Sequence, residues 1–425
     1  MSENLVRHYE DYNKYIEFQK TKTLNPVKRE KWLGEEWRLK IDGFKKEFTK
    51  ISSFLTNDKK CLCLGARTGQ EVAALKELGI NDVTGVDIVA HEPLVIEGDI
   101  HNLSFEDNTF DFVYTNILDH SIEPQKAISE IERVLKFDGI AFIQIQLDIS
   151  QDEYTEYVVK NPFYDVVALF NISYCVHIAN IDRNFAGMNF EMIFQKDKNL
   201  SNIQNNFGSI KDIKVPDNYL KIWDEINSDI QNKKLDENNI ISIKKRNTIL
   251  DGLKKRAYYL TRFAKEYEVQ KICEVGTAQG WQFYSFCEYI ENESEKEGSV
   301  FSCDIRDVRS DKYLGKFKSE NFVLGDSSKL SNVENCSDIE MFYIDGSHDR
   351  DGVLRDMFNL QHCQIKTKKP VWVFDDFDTR FGCFQDIMHI AQFSKGFKVY
   401  KVGKTASDQP SHQLIALSGF NLGEQ

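Results

Sequence analysis

The sequence predicts an α/β chain made of two doubly wound, parallel-sheet domains in tandem. Apolar runs of strand length end in glycines or carboxylates and alternate with helical stretches, the pattern of βαβ units. A glycine-punctuated strand-to-helix turn occurs twice, as Gly65-Ala66-Arg67-Thr68-Gly69 and as Gly276-Thr277-Ala278-Gln279-Gly280. Each turn is followed by the same series: a strand closed by an acid (Asp87, Asp304), a Gly-Asp pair (Gly98-Asp99, Gly325-Asp326) and another apolar run. Two copies of one order of events mark an internal repeat.

The elements follow in order. Residues 1–56 carry aromatic residues at helical spacing (Tyr9, Tyr12, Tyr15, Phe18; Trp32, Trp37, Phe44, Phe48) interrupted by Pro26, which predicts two or three amphipathic helices forming a cap. The first repeat is expected over 57–198. Its strand through Cys61 to Leu64 enters the first glycine turn, and a helix then runs to Gly79. Strands are predicted at Val83–Asp87, Leu94–Glu97, Phe110–Tyr114 and Gly139–Gln146, with a helix over Glu123–Leu135 and a late strand at Phe190–Phe194. Residues 199–245, rich in Asn, Asp, Lys and Ser, read as a linker with short helices, one of them near Leu220–Ile230. The second repeat is expected over 246–425. A helix (Arg246–Glu266) leads to strands at 272–275, 300–304, 322–324 and 341–345, and a hairpin of 397–402 with 412–417 closes the domain.

Composition narrows the function. With 41% hydrophobic and 28% charged residues the chain reads as a soluble globular protein. A net charge of −13 opposes binding to a phosphate backbone, so nucleic acid is disfavoured as a partner. No apolar run has the length of a membrane span, and the polar start predicts no signal peptide. Nine cysteines without a C-x-x-C pair point to a reduced, cytoplasmic protein rather than a disulfide scaffold. Oligomeric state is not legible, and a homo-oligomer is compatible with everything above.

The turns narrow it further. Their spacing is G-x-x-x-G, neither the dinucleotide G-x-G-x-x-G nor a P-loop. An acid about twenty residues beyond such a turn, as Asp87 is, suits a ribose diol. In the second repeat, Tyr343-Ile344-Asp345-Gly346-Ser347-His348 and Val373-Phe374-Asp375-Asp376-Phe377-Asp378 are apolar runs ending in acids. On neighbouring parallel strands, Asp345, Asp375 and Asp376 would meet at one rim with His348 beside them. Three carboxylates without a cation repel one another, and Mg²⁺ bound by one to three carboxylates relieves that. Taken singly, each acid reads equally well as a solvated loop residue or a helix cap.

On these residues the chain resembles class I S-adenosylmethionine-dependent methyltransferases twice over, a Rossmann-like fold. In the first copy the resemblance rests on Gly65-x-Arg67-Thr68-Gly69-x-Glu71, Asp87, Gly98-Asp99 and Glu130-Ile131-x-Arg133-Val134-Leu135-Lys136. It implies that Gly65, Arg67, Thr68 and Gly69 cradle the methionine portion of the cofactor, that Asp87 takes the ribose and Asp99 the adenine edge, with Asn116 at the end of the fourth strand. Lys136-Phe137-Asp138-Gly139 replaces the Lys-Pro-Gly-Gly common in relatives. The second copy is similar to metal-dependent sugar O-methyltransferases of the macrocin and mycinamicin type, through Glu274-x-Gly276, Asp304, Gly325-Asp326, Asp345-Gly346-Ser347-His348 and Asp375-Asp376. That resemblance implies S-adenosylmethionine against Glu274, Gly276, Gly280, Asp304 and Asp326, Mg²⁺ on Asp345, Asp375 and Asp376, and His348 as general base.

The first copy ends its fourth and fifth strands in Thr115-Asn116 and Gln144-Ile145-Gln146, so no metal is expected there. His120 is its candidate base, with the capping of the next helix as the plainer role. The expected activity is O-methylation of sugar hydroxyls on a glycan or glycoside, Mg²⁺-dependent in the second domain, with the first domain a second, metal-independent methyltransferase. The alternative is a methyltransferase of another small molecule or RNA, with one catalytic and one degenerate regulatory domain. An interaction scaffold would not explain the massed acids, and an iron hydroxylase would need two histidines where the rim offers one.

Overall fold

A computed structural model describes residues 4–147, 155–207, 213–233, 243–330, 332–367, 370–404 and 410–417. The chain divides into two compact units, Met1–Lys198 and Asn199–Gln425.

The first unit begins with α1 (Tyr12–Thr23), α2 (Pro26–Leu33) and α3 (Glu35–Thr49). Asp11 caps α1 by accepting from the Lys14 N–H, Asn25 caps α2 in the same way, and Pro26 occupies the first turn, where its missing N–H costs nothing. The buried face of α3 sets Phe44 and Phe48 against Tyr114, with Phe48 edge-on at a ring separation of 5.0 Å. Then come β1 (Lys60–Leu64), α4 (Gln70–Glu77), β2 (Asp82–Asp87), β3 (Val95–Glu97), β4 (Phe110–Thr115), α5 (Pro124–Val134), β5 (Leu135–Ile145), α6 (Pro162–Asp165), β6 (Ser173–Asn180) and β7 (Phe190–Lys196). The strands lie in the order β6-β7-β5-β4-β1-β2-β3, parallel from β3 to β5, with β7 antiparallel to both its neighbours. Cys61, Leu62 and Cys63 are fully buried, which is why β1 reads as an unbroken apolar run.

The second unit carries α7 (Lys198–Phe207), α8 (Asp217–Lys233), α9 (Ile243–Glu266), β8 (Lys271–Val275), α10 (Trp281–Asn292), β9 (Ser299–Asp304), β10 (Glu320–Leu324), α11 (Ser327–Leu330), β11 (Met341–Ile344), α12 (Gly352–Leu360), β12 (Val371–Phe374), α13 (Phe384–Phe393), β13 (Phe397–Lys404) and β14 (Pro410–Leu417). Its strand order, β10-β9-β8-β11-β12-β14-β13, repeats that of the first unit position for position, including the one antiparallel insertion. In both units the strand order reverses beside the first strand, between β1 and β4 and between β8 and β11. Ligands of doubly wound sheets bind in the crevice beyond the strand ends at that point.

Three differences from the sequence reading stand out. Strand β6 carries no expectation, and β5 begins at Leu135, where the expected strand began at Gly139. The short linker helix expected near Leu220–Ile230 is α8, longer than expected and packed: Trp223 stacks on Trp281 at 5.7 Å and donates from Nε1 to the Ser285 hydroxyl. Linker residues 208–212 and 234–242 lie outside the described set, as do 405–409 of the closing hairpin. All nine cysteines are free and buried. No helix among the described residues is long and apolar enough to cross a membrane.

Candidate functional site

In the first unit the crevice is built on the turn after β1. Gly65 (φ 71°), Arg67 (50°) and Gly69 (92°) have left-handed backbone. A Cβ at Gly65 would stand 2.4 Å from the Ile117 side chain, so only glycine fits. Asp87, at the end of β2, accepts from the Arg67 N–H at 3.0 Å and the Val89 N–H at 3.3 Å, and burial raises its pKa. Gly65, Arg67, Asp87 and Gly98 line a pocket whose other wall comes from Gln19 and Trp32 of the cap. The Arg67 guanidinium lies 4.4 Å from the centre of the Trp32 ring. A second cavity, with Glu71, Asn116, Asp119 and Gln146 in its lining, shares Gly65, Arg67, Ile117 and His120 with the first. His120 therefore stands on the wall between them. Two expected cofactor contacts are placed elsewhere. Thr68 is buried and donates to the Gln70 side chain at 2.8 Å. Asp99 accepts from the Tyr12 hydroxyl at 2.5 Å and the His101 N–H at 2.9 Å, while its neighbours Gly98 and Ile100 line the pocket instead. Burial opposes its ionisation, but these bonds hold the Asp99 carboxyl down at about 2.

The second unit repeats the construction. Gly276 (φ 96°), Ala278 (46°) and Gly280 (93°) match the first turn residue for residue, and the Ala278 N–H donates to Asp304 at 2.8 Å, as Arg67 does to Asp87. The cleft measures about 860 Å³, and its lining includes Gly276, Asp304, Asp326, Asp345 and His348. Gly280 instead caps α10, and Glu274 faces the interior. The Ser302 hydroxyl donates to Glu274 Oε2 at 2.5 Å, and burial pushes the carboxyl up to about 8.

Where Asp345 and His348 line this cleft, Asp345, His348 and Asp376 each offer a ligand atom, all within 4.8 Å of one another. His348 Nε2 is 3.1 Å from Asp376 Oδ2. Asp376 has left-handed backbone (φ 53°), which turns its side chain from the end of β12 to that position. Asp375 is buried beside them, next to Asp345 across the Tyr343 hydroxyl. Its Oδ2 accepts from Arg256 Nη1 at 2.5 Å and from the Tyr343 hydroxyl at 2.8 Å, and its Oδ1 from the Asp376 N–H at 2.9 Å. Of the three expected aspartates, Asp345 and Asp376 lie together with His348, and Asp375 is engaged through both oxygens by Arg256, Tyr343 and the Asp376 N–H. Arg256 and Tyr343 carried no signal in the sequence, because a lone arginine in a basic helix and a tyrosine in a strand look like a solvated face and a core residue.

Comparison with known proteins finds a match in each unit. A family profile described as "Methyltransferase domain" matches residues 62–143, and a second profile of the same description matches residues 273–377. The chain is a tandem of two methyltransferase domains. No curated protein matches it. Among solved structures it is similar to the PH0226 protein of Pyrococcus horikoshii (19% identity, 39% of this chain and 92% of that one, TM-score 0.32). It is also similar to the 1,6-didemethyltoxoflavin-N1-methyltransferase of Burkholderia thailandensis, solved with S-adenosylhomocysteine (16% identity, 46% of this chain and 94% of that one, TM-score 0.36).

The electrostatics of the second methyltransferase domain suit a cation. Burial and the neighbouring Asp375 push the Asp345 carboxyl well above the usual range, and the same two causes carry Asp376 up to about 6. Asp375 is held below the usual range, against the cost of burial, by Arg256. Two carboxylates and an imidazole, crowded together beside the cleft, fit a hard divalent ion.

Proposed function

We propose that this enzyme methylates sugar hydroxyls of a glycan or glycoside with S-adenosylmethionine, using a divalent ion in the second domain and none in the first. The observation that carries the reading is the cluster of Asp345, His348 and Asp376, two of whose members line the cleft together with Gly276 and Asp304.

In the second domain the turn at Gly276 lets the donor approach the backbone, and Asp304 and Asp326 receive its ribose and adenine edges. Asp345 and Asp376 would hold Mg²⁺. A bound divalent ion lowers the pKa of a hydroxyl and fixes its orientation. His348 pairs through Nε2 with Asp376, which leaves Nδ1 as the atom that takes the acceptor's proton, worth roughly 10²–10⁴-fold. The hydroxyl oxygen forms a bond to the methyl carbon as the carbon–sulfur bond breaks, and the sulfonium becomes a neutral thioether. Holding donor and acceptor in line supplies much of the remaining acceleration.

In the first domain Gly65, Arg67 and Asp87 hold the donor, and Asn116 and His120 face the cavity beyond it. His120, on the wall common to both spaces, is the residue to accept the proton there.

The test is mass spectrometry of nucleotide sugars and glycans incubated with the protein, Mg²⁺ and labelled methyl donor. Methylated sugar is expected, and Asp345→Ala or Asp376→Ala should abolish the metal-dependent product while S-adenosylhomocysteine still binds. Undiminished formation of every product in excess EDTA would end the metal reading.

A further inference from the structure

Glu71 is the second residue of α4, directly beyond Gly69 of the first glycine turn. It is 7% exposed, its Oε2 is buried without a hydrogen-bond partner, and no cation among the described residues stands within ion-pair distance of it. Burial pushes its carboxyl up to about 7, against the pull of Arg67 and Lys40. A buried carboxylate with an unfilled bonding position calls for a donor or a cation from outside the chain.

Glu71 lines the cavity beyond the turn, which measures about 210 Å³ and also takes in Lys40 and Arg67. Gly65 and Arg67 belong to this cavity and to the pocket that holds Asp87 alike. A donor whose ribose meets Asp87 and whose sulfur passes Gly65 would therefore bring its amino-acid end toward Glu71. That end carries an ammonium and a carboxylate, and the cavity wall offers both signs of charge. The repeat shows that this feature belongs to the first domain. Aligned on their turns, Gly65 with Gly276 and Gly69 with Gly280, the domains exchange their acids: Glu71 corresponds to Gln282, and Glu274 to Cys63. Gln282 is buried too, with neither polar atom of its side chain bonded.

We propose that Glu71 is the ammonium-binding residue of the first domain, its carboxylate taking the α-ammonium of the donor's methionine portion while Lys40 and Arg67 face the α-carboxylate. This rests on the reading of Gly65 and Asp87 as donor contacts. The second domain has an amide at the same position, so the two sites hold the amino-acid end of the donor by different chemistry.

The test is calorimetric titration of the full chain with S-adenosylhomocysteine and with methylthioadenosine, which keeps the nucleoside and the sulfur but lacks the amino-acid end. Glu71→Gln preserves the shape of the side chain and removes its charge. It should weaken S-adenosylhomocysteine at one of the two sites by at least about tenfold and leave methylthioadenosine within about twofold at both. Retained methylthioadenosine binding also reports a folded site. Unchanged binding of S-adenosylhomocysteine by Glu71→Gln overturns the proposal. An equal loss of both ligands overturns it as well, because Glu71 then only supports the turn. If the wild type has no S-adenosylhomocysteine site besides the one that Gly276→Ala removes, the donor reading of the first domain fails and this inference with it, an outcome distinguishable from the other two.

Discussion

Glu274 shows how a motif residue can serve the site without touching it. It sits at the end of β8 with Oε2 bonded to Ser302, whose hydroxyl meets that of Thr277 at 2.6 Å beneath the glycine turn. Burial raises its pKa to about 8, against about 4.3 in an unfolded chain. Between those values the unfolded state gives up its proton and the folded state keeps it, so the contribution of Glu274 to stability falls as pH rises. Glu274→Gln should therefore gain on the wild type in melting temperature from about pH 4 to pH 8, a comparison thermal denaturation makes directly. Gly276 is the opposite case, where contact is everything. A Cβ there would stand 2.0 Å from the Asp345 carbonyl oxygen, with the backbone in a left-handed conformation (φ 96°). Gly276→Ala should shift Asp345 and cost the second domain its S-adenosylhomocysteine binding, read by calorimetric titration. The role of such glycines was legible because few residues tolerate that backbone. The direction in which Asp375, Asp99 and Thr68 point was not, because an acid or hydroxyl beside a turn looks the same in sequence whether it faces the crevice or a buried donor.

The strand and helix elements were readable wherever one periodicity dominated. β1, β4, β8 and β11 are buried on both faces and read as short apolar runs, and α5 carries its buried Ala127, Ile128 and Ile131 at helical spacing. β6 was missed because only its first half is buried, which leaves no consistent alternation. α8 was expected near Leu220–Ile230 as a short linker helix, and its many Asn, Asp and Lys residues hid how firmly it packs, although Tyr219, Ile222, Trp223 and Ile226 form a buried stripe. That stripe has an energetic consequence. Trp223 is 2% exposed, stacked on Trp281 and bonded to Ser285. Trp223→Ala should destabilise the second unit by about 3–5 kcal/mol, measurable by denaturant unfolding. A loss below about 1 kcal/mol would mean that α8 is the loose connection its composition suggests.

The two domains share one strand order and one turn geometry but differ in what stands at the ends of the fourth and fifth strands. Asp345 and the pair Asp375-Asp376 follow those strands in the second domain, Asn116 and Gln146 in the first. Two donor sites per chain follow, so calorimetric titration with S-adenosylhomocysteine should give a stoichiometry of two. Excess EDTA should leave both binding events in place and remove only the products of the second domain. A stoichiometry of one would make one copy a degenerate partner of the other.

The sequence by itself determined the repeated doubly wound architecture, the two glycine turns with Asp87 and Asp304, and the concentration of acids in the second copy. These are patterns of local backbone and burial, which the chain writes in residue type and spacing. Only the tertiary structure decided which of those acids share a cleft, because that depends on where a side chain from a distant helix is inserted. Arg256 precedes Asp375 by 119 residues, and its guanidinium draws that one carboxylate inward while Asp345 and Asp376 remain beside His348.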